Sequence, residues 1–129
     1  MKIGSVLFLF VISAFGHELE FGNYLKIQEA LATYEFKNAL VGHKVICEKE
    51  LGHYKENYLG CEGQFSDITA LRESFKDLSK LYIGNGKSKE LDQLQVVECS
   101  MAKAKWAQKK GEIKNPYYGK KMLSCGSKI

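Results

Sequence analysis

The chain has one proline, Pro116, one tryptophan, Trp106, and only three histidines. It offers no paired-histidine zinc motif, no glycine-rich phosphate loop and no Ser/His/Asp order, so the usual carriers of metallohydrolase, nucleotide and acyl-transfer chemistry are missing. It also lacks a Cys-x-x-Cys pair, the ordinary signature of thiol–disulfide exchange. A cysteine with a distant histidine is not a dyad, and the chain reads as a non-enzyme. Repeats and low-complexity segments are absent as well. No apolar run reaches the ~20 residues that a membrane-spanning helix needs.

The longest apolar run stands at the amino terminus. Lys2 supplies a positive charge, and Ile3 to Phe15 is apolar apart from Gly4, Ser5 and Ser13. That layout predicts a signal peptide over residues 1–16, with Ala14 and Gly16 as the small residues before the cut and His17 as the first mature residue. No cysteine adjoins the cut for lipid attachment. The expectation is a periplasmic or secreted chain, residues 17–129, forming a single domain with no membrane insertion once the signal is removed.

Net charge is +4, with acids and lysines interspersed until Lys103, Lys105, Lys109, Lys110, Lys114, Lys120 and Lys121 accumulate. An exported chain seldom meets nucleic acid, so no nucleic-acid partner is expected and this tail reads as a solvated lysine face.

Helical periodicity runs through Ile27, Ala30, Leu31 and Tyr34, predicting a helix over 23–33, and resumes from Phe36 to give a second over about 36–51. Ser66 or Asp67 caps a third, whose apolar stripe is Ile68, Leu71, Phe75, Leu78 and Leu81. Gly84-Asn85-Gly86 ends it. Residues 91–97 fit neither period decisively, and beyond Cys99 the polar setting suggests irregular structure. The expected fold is therefore mainly α: a small bundle of three to four helices with an irregular C-terminal segment packed on it.

Four cysteines in an exported chain suggest two disulfides, with three possible pairings. Cys47 and Cys61 flank a short polar stretch and form a natural clip, leaving Cys99 and Cys125. Once the signal is gone, the two remaining methionines each lie beside a cysteine, in Cys99-Ser100-Met101 and Met122-Leu123-Ser124-Cys125. Thiolate and thioether sulfur are soft donors that select Cu(I), and Ag(I) suits them too, so Cys99, Met101, Met122 and Cys125 form a candidate metal site. The alternative is a Cys99–Cys125 disulfide with the methionines as core filler, closing a loop of about 25 residues and stabilising the fold by about 3 kcal/mol. A reversible arrangement, in which the thiols bind metal and otherwise oxidise, reconciles the two. His17 is a separate candidate: as first residue, its amine and imidazole would chelate Cu(II). His43 and His53, ten residues apart, do not pair by spacing and read as surface residues.

Residues 98–126, with Glu98-Cys99-Ser100-Met101-Ala102, Trp106, Asn115-Pro116-Tyr117-Tyr118-Gly119, Met122 and Cys125-Gly126, resemble a bacterial domain family of unassigned function. That family occurs as lone exported proteins and appended to periplasmic adaptor subunits of copper and silver efflux systems. The likeness extends more loosely to residues 24–31 and 71–79. It implies a helical domain in a heavy-metal context, a possible efflux-adaptor partner, the ligands Cys99, Met101, Met122 and Cys125, and Trp106 and Tyr118 as shielding groups. The family's His-Cys-Pro-Met is here Glu98-Cys99-Ser100-Met101, which replaces an imidazole with a carboxylate and loses a rigid proline. Cys47 and Cys61 lie outside its pattern. Two functions follow as expectations: an exported protein sequestering or relaying Cu(I) in the bacterial envelope, or a disulfide-stapled interaction protein without metal.

Overall fold

The computed structural model describes residues 17–129, so the expected signal peptide over 1–16 lies outside the described residues. Helix α1 spans Gly22–Ala32 and buries Tyr24, Ile27, Gln28 and Leu31, the face set by its three- and four-residue spacing. Tyr34, at φ 63°, turns the chain into α2, Phe36–Val45. The two helices pack along each other at Gly42, where a Cβ would sit 3.0 Å from Ile27 Cγ1. A π-type turn, Ile46–Glu50, extends α2. Two 3-10 turns, Gly52–Asn57 and Leu59–Cys61, then lead away from it.

Helix α3, Ile68–Asn85, is capped by Asp67, whose carboxylate accepts from the Ala70 amide at 2.9 Å. Leu71, Phe75, Leu78 and Tyr82 form its buried stripe. The entering chain is pinned at the far end of α3: Leu19 N–H donates to Asn85 O at 3.0 Å, and Lys87 N–H donates to Leu19 O at 2.9 Å. A short helix α4, Ser88–Leu91, follows.

The rest of the chain overturns the expected helical bundle. Leu94–Cys99 is a strand, β1, pairing antiparallel with β2, Ala104–Lys109, and with the short β3, Ser127–Lys128, in the order β2-β1-β3. The fold is mixed α/β, with helices against a three-stranded antiparallel sheet. The region expected to be irregular is the source of β2. Its period-two signal is masked because buried positions carry glutamine: Gln95 and Gln108 lie opposite each other on the face that also holds Val97, Cys99, Ala104 and Trp106. Residues 111–126 cover that face. Gln95 Nε2 donates to Gly111 O at 2.9 Å and Gln108 Nε2 to Glu112 O at 2.7 Å. Gly126 sits against Val97 and Trp106.

Helices and sheet share an aromatic core. Tyr24 stacks on Phe75 and Tyr82 with ring centres 4.9 and 5.0 Å apart, and Tyr117 meets Trp106 edge-on at 5.8 Å. Its hydroxyls are satisfied: Ala107 N–H donates to Tyr24 Oη, and Tyr117 Oη donates to Lys105 O at 2.6 Å. Burial pushes both phenols well above their ordinary range, so they remain hydroxyls.

Candidate functional site

Cys99, at the end of β1, and Cys125, in the C-terminal segment, are bonded to each other across Cα atoms 5.6 Å apart. Cys47 and Cys61 are likewise joined, at the same Cα separation, tying the 3-10 turns back to the end of α2. No cysteine among the described residues is free. No helix among them is long and apolar enough to cross a membrane.

The Cys99–Cys125 bond brings the Cys-x-Met and Met-x-x-Cys motifs to one corner. Met101 lies in the β1–β2 turn and Met122 ends the 3-10 turn Gly119–Met122. Tyr118 Oη donates to Met101 O at 3.1 Å and so links the two segments directly. Cys99 is wholly buried and Cys125 partly so. Neither methionine joins the hydrophobic core, and Met101 is 61% exposed. Trp106, fully buried, packs beneath this corner. No group of three or more His, Cys, Asp or Glu side chains among the described residues is placed to hold a metal ion, so any metal here would depend on the methionine sulfurs.

The corner is built by Asn115-Pro116-Tyr117-Tyr118-Gly119. Asn115 is buried; its Oδ1 accepts from the amides of Tyr117 and Tyr118 at 2.7 and 3.1 Å, and its Nδ2 donates to Cys125 O at 3.0 Å. Its own amide donates to Leu123 O at 2.9 Å, closing a loop around the second motif. Gly119 adopts φ +56°, and a Cβ there would lie 2.5 Å from the Arg72 guanidinium. Arg72 is itself buried, donating to Pro116 O at 2.9 Å and to Leu31 O at 2.6 Å while stacking 4.5 Å over the Tyr34 ring. The aromatic signature is thus a device for positioning the segment that carries Met122 and Cys125. Helical spacing turns Arg72 to water, whereas the structure buries it, and Asn115 stands out only as part of the resembling motif, because the partners of both are backbone carbonyls and amides.

Of the two histidines expected at the surface, one departs from that placement. His43 is buried, not on the surface: its Nε2 shares a 2.6 Å hydrogen bond with Tyr58 Oη, and its Nδ1 lies 3.8 Å from Cys47 Sγ. Burial pushes its imidazole down to about 4, so it is neutral at pH 7. His53 is exposed and lies beside His17, with ring centres 6.2 Å apart. No family model matches the chain, and no curated protein or solved structure matches it.

Proposed function

We propose that this protein is an exported soft-metal handler whose Cys99, Cys125, Met101 and Met122 take Cu(I), or Ag(I), when the Cys99–Cys125 bond is open. The observation that carries the reading is the placement of the methionines. Both flank one disulfide, yet neither fills the core, which is the role that the disulfide-and-filler alternative requires of them. An exposed thioether beside a cysteine pair is a soft donor set waiting on reduction. The resemblance of residues 98–126 to a domain family of unassigned function, found alone and appended to adaptor subunits of copper and silver efflux systems, supplies the heavy-metal context and suggests an adaptor subunit as partner.

In this reading the disulfide is the metal-free state. A dithiol reductant supplies two electrons and two protons, giving two thiols, and these release their protons as the thiolates bind Cu(I). No turnover of a substrate is assigned. Two closed disulfides fit an oxidising compartment, periplasmic or extracellular.

The decisive experiment is Cu(I) competition against a chromophoric chelator, using reduced protein and a Met101→Leu, Met122→Leu double variant. One-to-one binding that weakens at least about tenfold in the double variant is expected. Binding that ignores the methionines sinks the site.

A second reading, a disulfide-stapled interaction protein without metal, draws on the closed Cys99–Cys125 bond and on exposed lysines between 103 and 121. It predicts that reduced protein takes up no Cu(I) above background.

A further inference from the structure

His17 does not stand alone. Its imidazole faces that of His53, thirty-six positions along the chain, with ring centres 6.2 Å apart and planes at 83°. Both side chains are exposed. They meet because each is tied from a different direction. Leu19 is hydrogen-bonded to Asn85 and Lys87 at the end of α3, and Tyr54 Oη donates to His17 O at 2.9 Å. His53 lies in the turn Gly52–Asn57, inside the loop that the Cys47–Cys61 disulfide closes, with its ring centre 4.1 Å from that of Tyr54.

Two neighbours suit the pair to a cation. Gly52 adopts φ +54°, and the place where a Cβ would stand is 3.0 Å from His17 Nδ1, so the absence of a side chain leaves room beside that nitrogen. A crevice of about 210 Å³ adjoins it, lined by His17, Glu18, Glu20, Lys49 and Glu50. Glu20 is paired with Lys87 at 3.0 Å, so three carboxylates stand against two ammoniums, and the remaining negative charge favours cations.

We propose that His17 and His53 form a Cu(II) site, completed by the α-amine of His17 when signal cleavage leaves it the first residue. The amine and Nδ1 of one residue close a six-membered chelate ring around a metal, and His53 supplies a third nitrogen from across it. Cu(II) stands highest in the divalent order for nitrogen donors and favours such a tetragonal set. With metal–imidazole bonds of about 2.0 Å, two imidazoles on opposite sides of one ion have ring centres about 6 Å apart. The observed 6.2 Å between the two ring centres matches that span. This site uses nitrogen rather than sulfur and works with both disulfides closed, so it does not rest on the Cu(I) reading.

The test uses the full chain, exported by a bacterial host and purified without reductant. Intact mass gives its first residue, and Cu(II) is titrated in competition with glycine and followed by electron paramagnetic resonance. His53→Phe keeps a ring against Tyr54 while removing the nitrogen donors. The expected results are a chain beginning at His17 and one Cu(II) with hyperfine coupling to three nitrogens. His53→Phe should bind about tenfold more weakly or worse, with one nitrogen fewer, while Met101→Leu, Met122→Leu leaves Cu(II) binding intact. Unchanged affinity and spectrum in His53→Phe overturn the proposal, as does a mature chain that begins elsewhere.

Discussion

The side-chain amide of Asn115 donates to the carbonyl of Cys125 at 3.0 Å, while its carbonyl accepts the amides of Tyr117 and Tyr118. One buried side chain thus fixes both the aromatic corner and the cysteine that it delivers to Cys99. Truncation to alanine would leave three backbone groups without partners, one buried and two part-buried, and a buried unsatisfied group costs about 1–3 kcal/mol. Asn115→Ala is expected to lower stability by about 3 kcal/mol, read as a fall in thermal midpoint. A loss below about 0.5 kcal/mol would mean that the loop holds its shape without this residue.

His43 gives the fold an acid-sensitive element. Burial holds its imidazole at about 4 in the folded protein, against about 6.5 in an unfolded chain. The folded-state value is lowered, so between those limits the unfolded chain takes up the proton first. Its contribution is complete above about pH 6.5 and is lost as the pH falls towards 4. The loss should be about 2 kcal/mol, allowing for partial solvent screening. Urea unfolding at pH 4 and pH 7 measures it. His43→Gln can still bond to Tyr58 but does not titrate, and should flatten the difference relative to the parent. An equal pH difference in both proteins would assign the effect to the carboxylates.

What the sequence revealed and what it hid divide along physical lines. Helix α3 was legible because Leu71, Phe75 and Leu78 recur at helical spacing behind the Asp67 cap, all within one local segment. Strand β2 was not, because burial of Gln108 depends on Glu112 O and the Lys114 amide arriving from beyond the strand. Gln95, equally buried, breaks the apolar alternation of β1 in the same way. The Cys/Met motifs stood out by adjacency, but their meeting at one corner required the β1–β2 turn and the Asn115 loop. The proximity of His17 to His53 carries no local signal at all. It follows from the Leu19 bridge to α3 and from the disulfide-closed turn.

Arg72 and Gly119 act on the same joint between the helices and the C-terminal segment. Arg72→Met removes two hydrogen bonds to backbone carbonyls and the stacking on Tyr34, for an expected cost of about 3 kcal/mol. Gly119→Ala both strains the positive φ and drives a methyl group into the guanidinium. The double variant should therefore cost less than the two single changes together, because the contact with the guanidinium goes with the arginine, while the one with the Tyr34 ring at 2.7 Å remains. Strict additivity in chemical denaturation would show that the contact between them carries no energy.

The two disulfides can be separated by what their removal does. They span 14 and 26 positions, a difference that loop-closure entropy makes worth only about half a kcal/mol, so opening either should cost a similar 3 kcal/mol or so. Stability alone will not distinguish them; metal binding should. Replacing Cys47 and Cys61 with alanine is expected to leave Cu(I) uptake by the reduced protein intact, because His43, the nearest donor to that pair, is buried and already bonded to Tyr58. Replacing Cys99 and Cys125 should abolish uptake while leaving a folded chain at moderate temperature. Chelator competition on both variants, beside thermal melts, reads the two effects independently. Equal Cu(I) uptake in both would indicate that reduced chains bind copper through any available thiol pair and not specifically at the Cys/Met corner, and loss in both would mean that uptake needs all four cysteines.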